Sequence, residues 1–168
     1  YTDGIARFSE IISKKRRNLE DLATSMISEM VRYIDASAGA IFVVDDSDPD
    51  EIMLRATGEF CLSSDKEKNF TFGAGEGNIG ACYTEKQTLK VDNLSEGYIV
   101  LRSGLGTLSL QHAIYVPIMQ DNDCVGVIEI ASIDKLSENK AALVEKIAES
   151  LASVITIIKA NEKTNEIL

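Results

Sequence analysis

The feature that most constrains this chain is the run from His112 to Ser132, HAIYVPIMQDNDCVGVIEIAS, in which two β-branched apolar arms flank the polar cluster Gln120, Asp121, Asn122 and Asp123. Two such arms around a short polar turn predict an antiparallel hairpin. Period-two alternation then sorts the side chains onto two faces. Ile114, Val116, Ile118, Ile128 and Ile130 share one face, whose uniformly apolar character requires a covering layer of helix. The other face carries Ala113, Tyr115, Pro117, Val125, Val127, Glu129 and Ala131, small groups around one phenol and one carboxylate. Full packing is not expected there. A cratered, partly polar face opposite a helix-covered one is a place to hold a small molecule.

The 168 residues, 45% of them apolar, are the size of one domain with one core. A formal charge of −10 argues against nucleic acid or an anionic membrane surface as partner, because both demand clustered cations. No apolar run reaches the roughly 18 residues of a membrane span, and no secretory leader is expected. Tyr1 in place of a start methionine is expected to mark an excised piece. Cys61, Cys82 and Cys124 are odd in number and contain no CxxC pair, which favours free thiols in a reducing, cytosolic compartment over a disulfide framework.

In chain order, Ile5, Phe8, Ile11 and Ile12 predict a first helix from Gly4 to about Lys15, interrupted by a solvated turn of four cations, Lys14 to Arg17. Asn18 followed by Asp21 predicts a capped second helix with an apolar stripe of Leu19, Leu22, Met26, Ile27, Met30 and Ile34. Its methionines are expected to fill core rather than bind a soft metal. Ala38 and Gly39 are expected to end that helix. Ala40 to Val44 and Ile52 to Thr57 read as strands around an acidic, solvated turn whose carboxylates lack the glycine and spacing of a calcium loop. Gly58 to Asn69 is polar and points to no particular element, and Phe70 to Phe72 reads as a short strand at best.

GAGEGNIG, Gly73 to Gly80, contains a literal GxGxxG. Dinucleotide binding would require a long helix from the last glycine and an acid about twenty residues on. The chain offers only a short helix, Asn78 to Lys86, then a strand from Thr88, so the glycines are read as a tight entry into that helix. Ile79, Cys82 and Tyr83 share its inner face. The long connection Asp92 to Leu110 is too apolar for disorder at Tyr98, Ile99, Leu101 and Leu105, and reads as a lid over the cratered face with Arg102 and Ser103 as polar contacts. His112 reads as a loop histidine rather than a haem ligand. Ser137 caps one last helix running to Leu168, along which Val144, Ile147, Leu151, Val154, Ile158, Asn161, Asn165 and Leu168 form a heptad seam.

GEGNIG at Gly75 to Gly80, VDNL at Val91 to Leu94, YIVLRSGLG at Tyr98 to Gly106, YVPI at Tyr115 to Ile118 and GVIEIAS at Gly126 to Ser132 together resemble the GAF domain, a small-molecule sensor module. GIARFSEI at Gly4 to Ile11 and the SGLG loop look like the GAF regions of bacterial sensor histidine kinases. The resemblance implies an α+β, GAF-like (PAS-like) fold. Its central antiparallel sheet would have about six strands, with the terminal helices on one face and the ligand pocket and lid on the other. It implies one domain over residues 1–168, with residues 1–17 a helical extension and 159–168 the start of an output helix. Covalent bilin is disfavoured by the absence of a cysteine beside His112, and the residue set of cyclic-nucleotide GAF domains is not visible. The free methionine sulfoxide reductases resemble the same fold, but the lid here has no cysteine.

The expected site is Phe42, Tyr98, Arg102, Ser103, Tyr115 and Glu129, holding an unidentified small polar organic ligand. No catalytic residue, metal ligand or particular cofactor is assigned. The expected output is a parallel homodimer joined through the terminal helices, with no nucleic-acid or membrane contact. A pure dimerisation module with a collapsed pocket is the rival.

Overall fold

A computed structural model of the chain describes residues 2–14, 18–61, 71–95 and 98–167, with side chains described for all of these except residues 2, 3, 102, 103 and 164–167. The elements in order are α1 (Thr2–Lys14), α2 (Leu19–Tyr33), β1 (Ala38–Asp45), β2 (Met53–Phe60), β3 (Thr71–Gly73), α3 (Gly77–Glu85), β4 (Leu89–Val91), β5 (Val100–Ser103), β6 (Gly106–Ser109), β7 (His112–Gln120), β8 (Asp123–Ser132) and α4 (Glu138–Ile167). Six strands form one antiparallel sheet in the order β3-β2-β1-β8-β7-β4, and β5 and β6 form a separate two-stranded hairpin.

The β7–β8 hairpin lies towards the middle of the sheet as its sequence requires. Ile114, Val116, Ile118, Ile128 and Ile130 are buried in one cluster with residues of α1, α2 and α4, the helix layer that an all-apolar face demands. Asn18 caps α2 by accepting from the Asp21 amide at 3.1 Å, and Leu19, Leu22, Met26, Ile27 and Met30 point into the same core. Ser137 accepts from the Lys140 amide at 3.3 Å and starts α4.

Several local expectations are corrected. Alternation fails once in β8: Ile118 pairs with Gly126 but Met119 pairs with Cys124, so Val125 is an extra residue in a bulge. The bulge turns Val125 towards the helix-side core instead of the Val127 face. The second helix ends before Ala38, at Tyr33, where Asp35 takes a positive φ of 56°, and Ala38 and Gly39 already belong to β1. The second strand runs past Thr57, so Gly58 lies within β2. A Cβ there would lie 2.5 Å from the Ala23 carbonyl carbon, so its bare backbone lets α2 lie directly on β2.

The expected seam of α4 is largely used within the single chain. Val144, Ile147, Leu151 and Ile158 are buried against the sheet, because the stripe that would serve a partner helix is the same amphipathic stripe that covers this one. Lys159 fastens the helix to the end of β1 through Val44 O at 2.6 Å, and Ala160 to Lys163 are exposed beyond it.

Candidate functional site

The sheet's second face carries its own core. Ala38, Ala40, Phe42 and Val44 of β1 join Ala113, Tyr115, Val127 and Ala131 of the hairpin beneath Ile79 and Cys82 of α3 and Leu94, Ile99 and Leu110 of the lid. The face expected to be cratered is therefore roofed, because the lid folds its apolar residues inward. Within the lid, which the sequence marks only as a long connection, β5 and β6 pair as a hairpin. Its tip leaves Leu105 fully exposed, so this leucine is not part of the cover. Leu94 N donates to Gln111 O and Leu110 N to Ile99 O, both at 2.9 Å, which closes the lid's stems.

One connected polar group reaches from the rim of this apolar shell into its interior. Glu129 and Tyr115 are register partners on β8 and β7, and both are buried. The Tyr115 hydroxyl donates to the Glu129 carboxylate, and a further hydrogen bond joins it to the Tyr98 hydroxyl. The Asn78 amide approaches the same Tyr115 oxygen at 3.5 Å. A phenol has a single proton to give, so the Tyr115 oxygen is left to accept from Tyr98 and Asn78. Burial, reinforced by the Glu129 charge, pushes the phenols of both Tyr115 and Tyr98 upwards, which keeps them protonated donors at neutral pH.

Backbone geometry brings these groups together. Gly75 and Gly77 have positive φ values of 79° and 62°, and a Cβ at Gly80 would lie 2.3 Å from Gly73 O. That tight turn starts α3 directly beside β3, with Asn78 directed at the sheet. The Tyr98 hydroxyl stands 3.8 Å from where a Gly77 Cβ would lie. Tyr98 remains 39% exposed, so its ring spans from solvent to the buried carboxylate. Phe42 packs edge-to-face on Phe72 at 5.6 Å and forms part of the wall.

Of the expected site residues, the structure brings Tyr98, Tyr115 and Glu129 into one cluster and sets Phe42 in the surrounding core. The Arg102 and Ser103 side chains lie outside the described residues. Asn78 was missed by the sequence reading, although GEGNIG contains it. His112 is not in a loop: it opens β7 and its Nδ1 lies 3.2 Å from Asp92 Oδ1. Cys82 and Cys124 are buried, and burial pushes the Cys82 thiol up to about 12 and raises that of Cys124. All three cysteines are free thiols. Among the described residues no group of three or more His, Cys, Asp or Glu side chains is arranged to hold a metal ion.

A six-stranded antiparallel sheet, with helices on one side and a lid and polar cluster on the other, defines an α+β domain. The GAF domain family model matches residues 16–156, and the chain belongs to that family. Among solved structures it is similar to the GAF domain of an Acinetobacter phosphoenolpyruvate-protein phosphotransferase, at 15% identity and a TM-score of 0.78 over 96% of each chain. The corresponding domain from Coxiella burnetii is 20% identical, with a TM-score of 0.74 over 96% of this chain and 98% of that one. Free methionine-R-sulfoxide reductase from Neisseria meningitidis, in complex with its substrate, is 16% identical, with a TM-score of 0.70 over 93% of this chain and 88% of that one. At these identities the likeness is one of fold. No curated protein sequence matches the chain.

Proposed function

We propose that this GAF domain is a non-catalytic sensor of a small polar organic molecule in a cytoplasmic signalling protein of the sensor histidine kinase type. The ligand binds between the second sheet face and the lid, at Tyr98, Tyr115, Glu129 and Asn78, with Phe42 in the wall and Arg102 and Ser103 contributed by the lid. The observation that carries this reading is the polar cluster itself. The Glu129 carboxylate and the Tyr115 phenol, buried under an otherwise apolar cover, cost more to bury than aliphatic side chains of the same volume, while the exposed Tyr98 and half-buried Asn78 join them from the rim. Recognition of a polar ligand would offset that cost, and the cluster lies beside the lid segments that carry Leu94, Ile99 and Leu110. The domain acts as a parallel homodimer through its terminal helices, and α4 carries the lid state onward.

The same fold also supports an enzyme, since the Neisseria relative reduces free methionine sulfoxide. Thiol catalysis needs an accessible thiolate. Burial of Cys82 and Cys124, with their thiols pushed upwards, favours the sensor reading. Two assays test it. A thermal-shift screen against metabolites is expected to give a hit that stabilises the wild type by several degrees, and that loses most of its effect in Glu129→Gln. Incubation with free methionine sulfoxide and a thiol reductant is expected to give no turnover. Cys61 is the exposed thiol, and turnover abolished by Cys61→Ser, Cys82→Ser or Cys124→Ser would overturn the non-catalytic assignment.

A further inference from the structure

Asp92 stands at the junction of three elements. It directly follows β4 and opens the lid, whose other end leads into His112 at the start of β7. One carboxylate oxygen, Oδ1, lies 3.2 Å from His112 Nδ1, and the other, Oδ2, lies 3.4 Å from Lys135 Nζ. His112 and Lys135 together hold the Asp92 carboxyl below its usual range. Lys135 belongs to the lead-in of α4, and the next residue, Leu136, packs against the helix-side core. Lys90, Asp92, His112, Ala113, Ile114, Lys135 and Leu136 line one small recess at the sheet edge. The backbone bond from Leu94 N to Gln111 O ties the lid's stems one step further in.

We propose that Asp92 is a positioning residue that couples the lid to the output helix: one oxygen braces the two lid stems to each other, and the second ties them to the lead-in of α4. The inference rests on the sensor reading for its purpose, because it supplies the path from lid to helix that a sensor requires. Opening the lid displaces Asp92, releases Lys135 and frees the lead-in to shift. A coupling through one exposed carboxylate is small, which suits a relay that must be reversible.

The experiment is native-state hydrogen exchange on the unliganded full chain, read at the Leu94 and Leu110 amides. Lys135 is well exposed, so Lys135→Met leaves the fold intact. It is expected to speed exchange at both lid amides by roughly two- to fivefold, the range an exposed ion pair supports. In the Asp92→Asn background, adding Lys135→Met is expected to have no further effect, since the bridge is already cut. Unchanged lid exchange in Lys135→Met, or the same acceleration with and without Asp92, would overturn the coupling. No ligand is used, so a failed ligand screen and a failed coupling are separate results.

Discussion

Asp45 faces Arg55, whose Nε donates to its carboxylate at 2.6 Å, and it also accepts from the Ser47 hydroxyl and amide at 2.7 and 3.1 Å. These donors hold its carboxyl down to about 2, from an ordinary 3.8. A depressed carboxylate contributes stability that is complete above its unfolded value and is lost as pH falls through the folded one. The stability difference between wild type and Asp45→Asn is therefore expected to stay flat above about pH 5 and to shrink between about pH 4 and pH 2, with a total size below about 1 kcal/mol because the pair is partly exposed. Urea melts at stepped pH check this, and a difference independent of pH would contradict it. At this scale the sequence is legible wherever alternation decides direction. Tyr115 and Glu129 were found because strand periodicity puts them on one face opposite the isoleucines. Asn78 was not, because its direction follows from positive φ angles at Gly75 and Gly77, which no periodicity reports.

Among the elements, α4 shows where a pattern has two physical readings. A stripe at spacings of three and four serves a partner helix or a sheet equally well. Here Leu151 and Ile158 are buried against the sheet, so Leu151→Lys places an uncompensated charge in the core and is expected to cost at least about 3 kcal/mol, a large part of a domain's stability. Such a variant reads folding and cannot read dimerisation. Among the described residues of α4, Ile157 is the large apolar side chain left exposed, at 47%. If the dimer forms along this helix, Ile157→Lys is expected to weaken it about tenfold while shifting stability by no more than about 1 kcal/mol. Sedimentation combined with chemical denaturation separates the two effects, and an unchanged dimer would place the interface elsewhere. The bulge at Val125 and the β5–β6 hairpin were not legible. A bulge is a one-residue shift set by pairing with β7, and the hairpin, with its half-exposed Leu108 and fully exposed Leu105, lacks the alternation that marks a half-buried strand.

For the whole molecule, the architecture was legible because its two faces differ so sharply in composition. A row of isoleucines demands helices. A mixed row of alanines, valines, a tyrosine and a glutamate accepts a second, smaller cover, and the lid supplies it from Leu94, Ile99 and Leu110. The depth of that cover was not legible, since it depends on how a long connection folds on itself. The central claim is that the covered polar cluster recognises a ligand and is not simply a buried network that fixes the fold. The most direct measurement is calorimetric binding of a thermal-shift hit to wild type, Tyr98→Phe and Glu129→Gln, with amide chemical shifts followed in the same titrations. The account predicts that the largest shifts fall on Asn78, Tyr98, Tyr115 and Glu129, and that each substitution weakens binding by about tenfold, as loss of a hydrogen bond to a buried polar partner does. Binding unchanged in both variants, or shifts confined to residues outside the lid and the second sheet face, would contradict it.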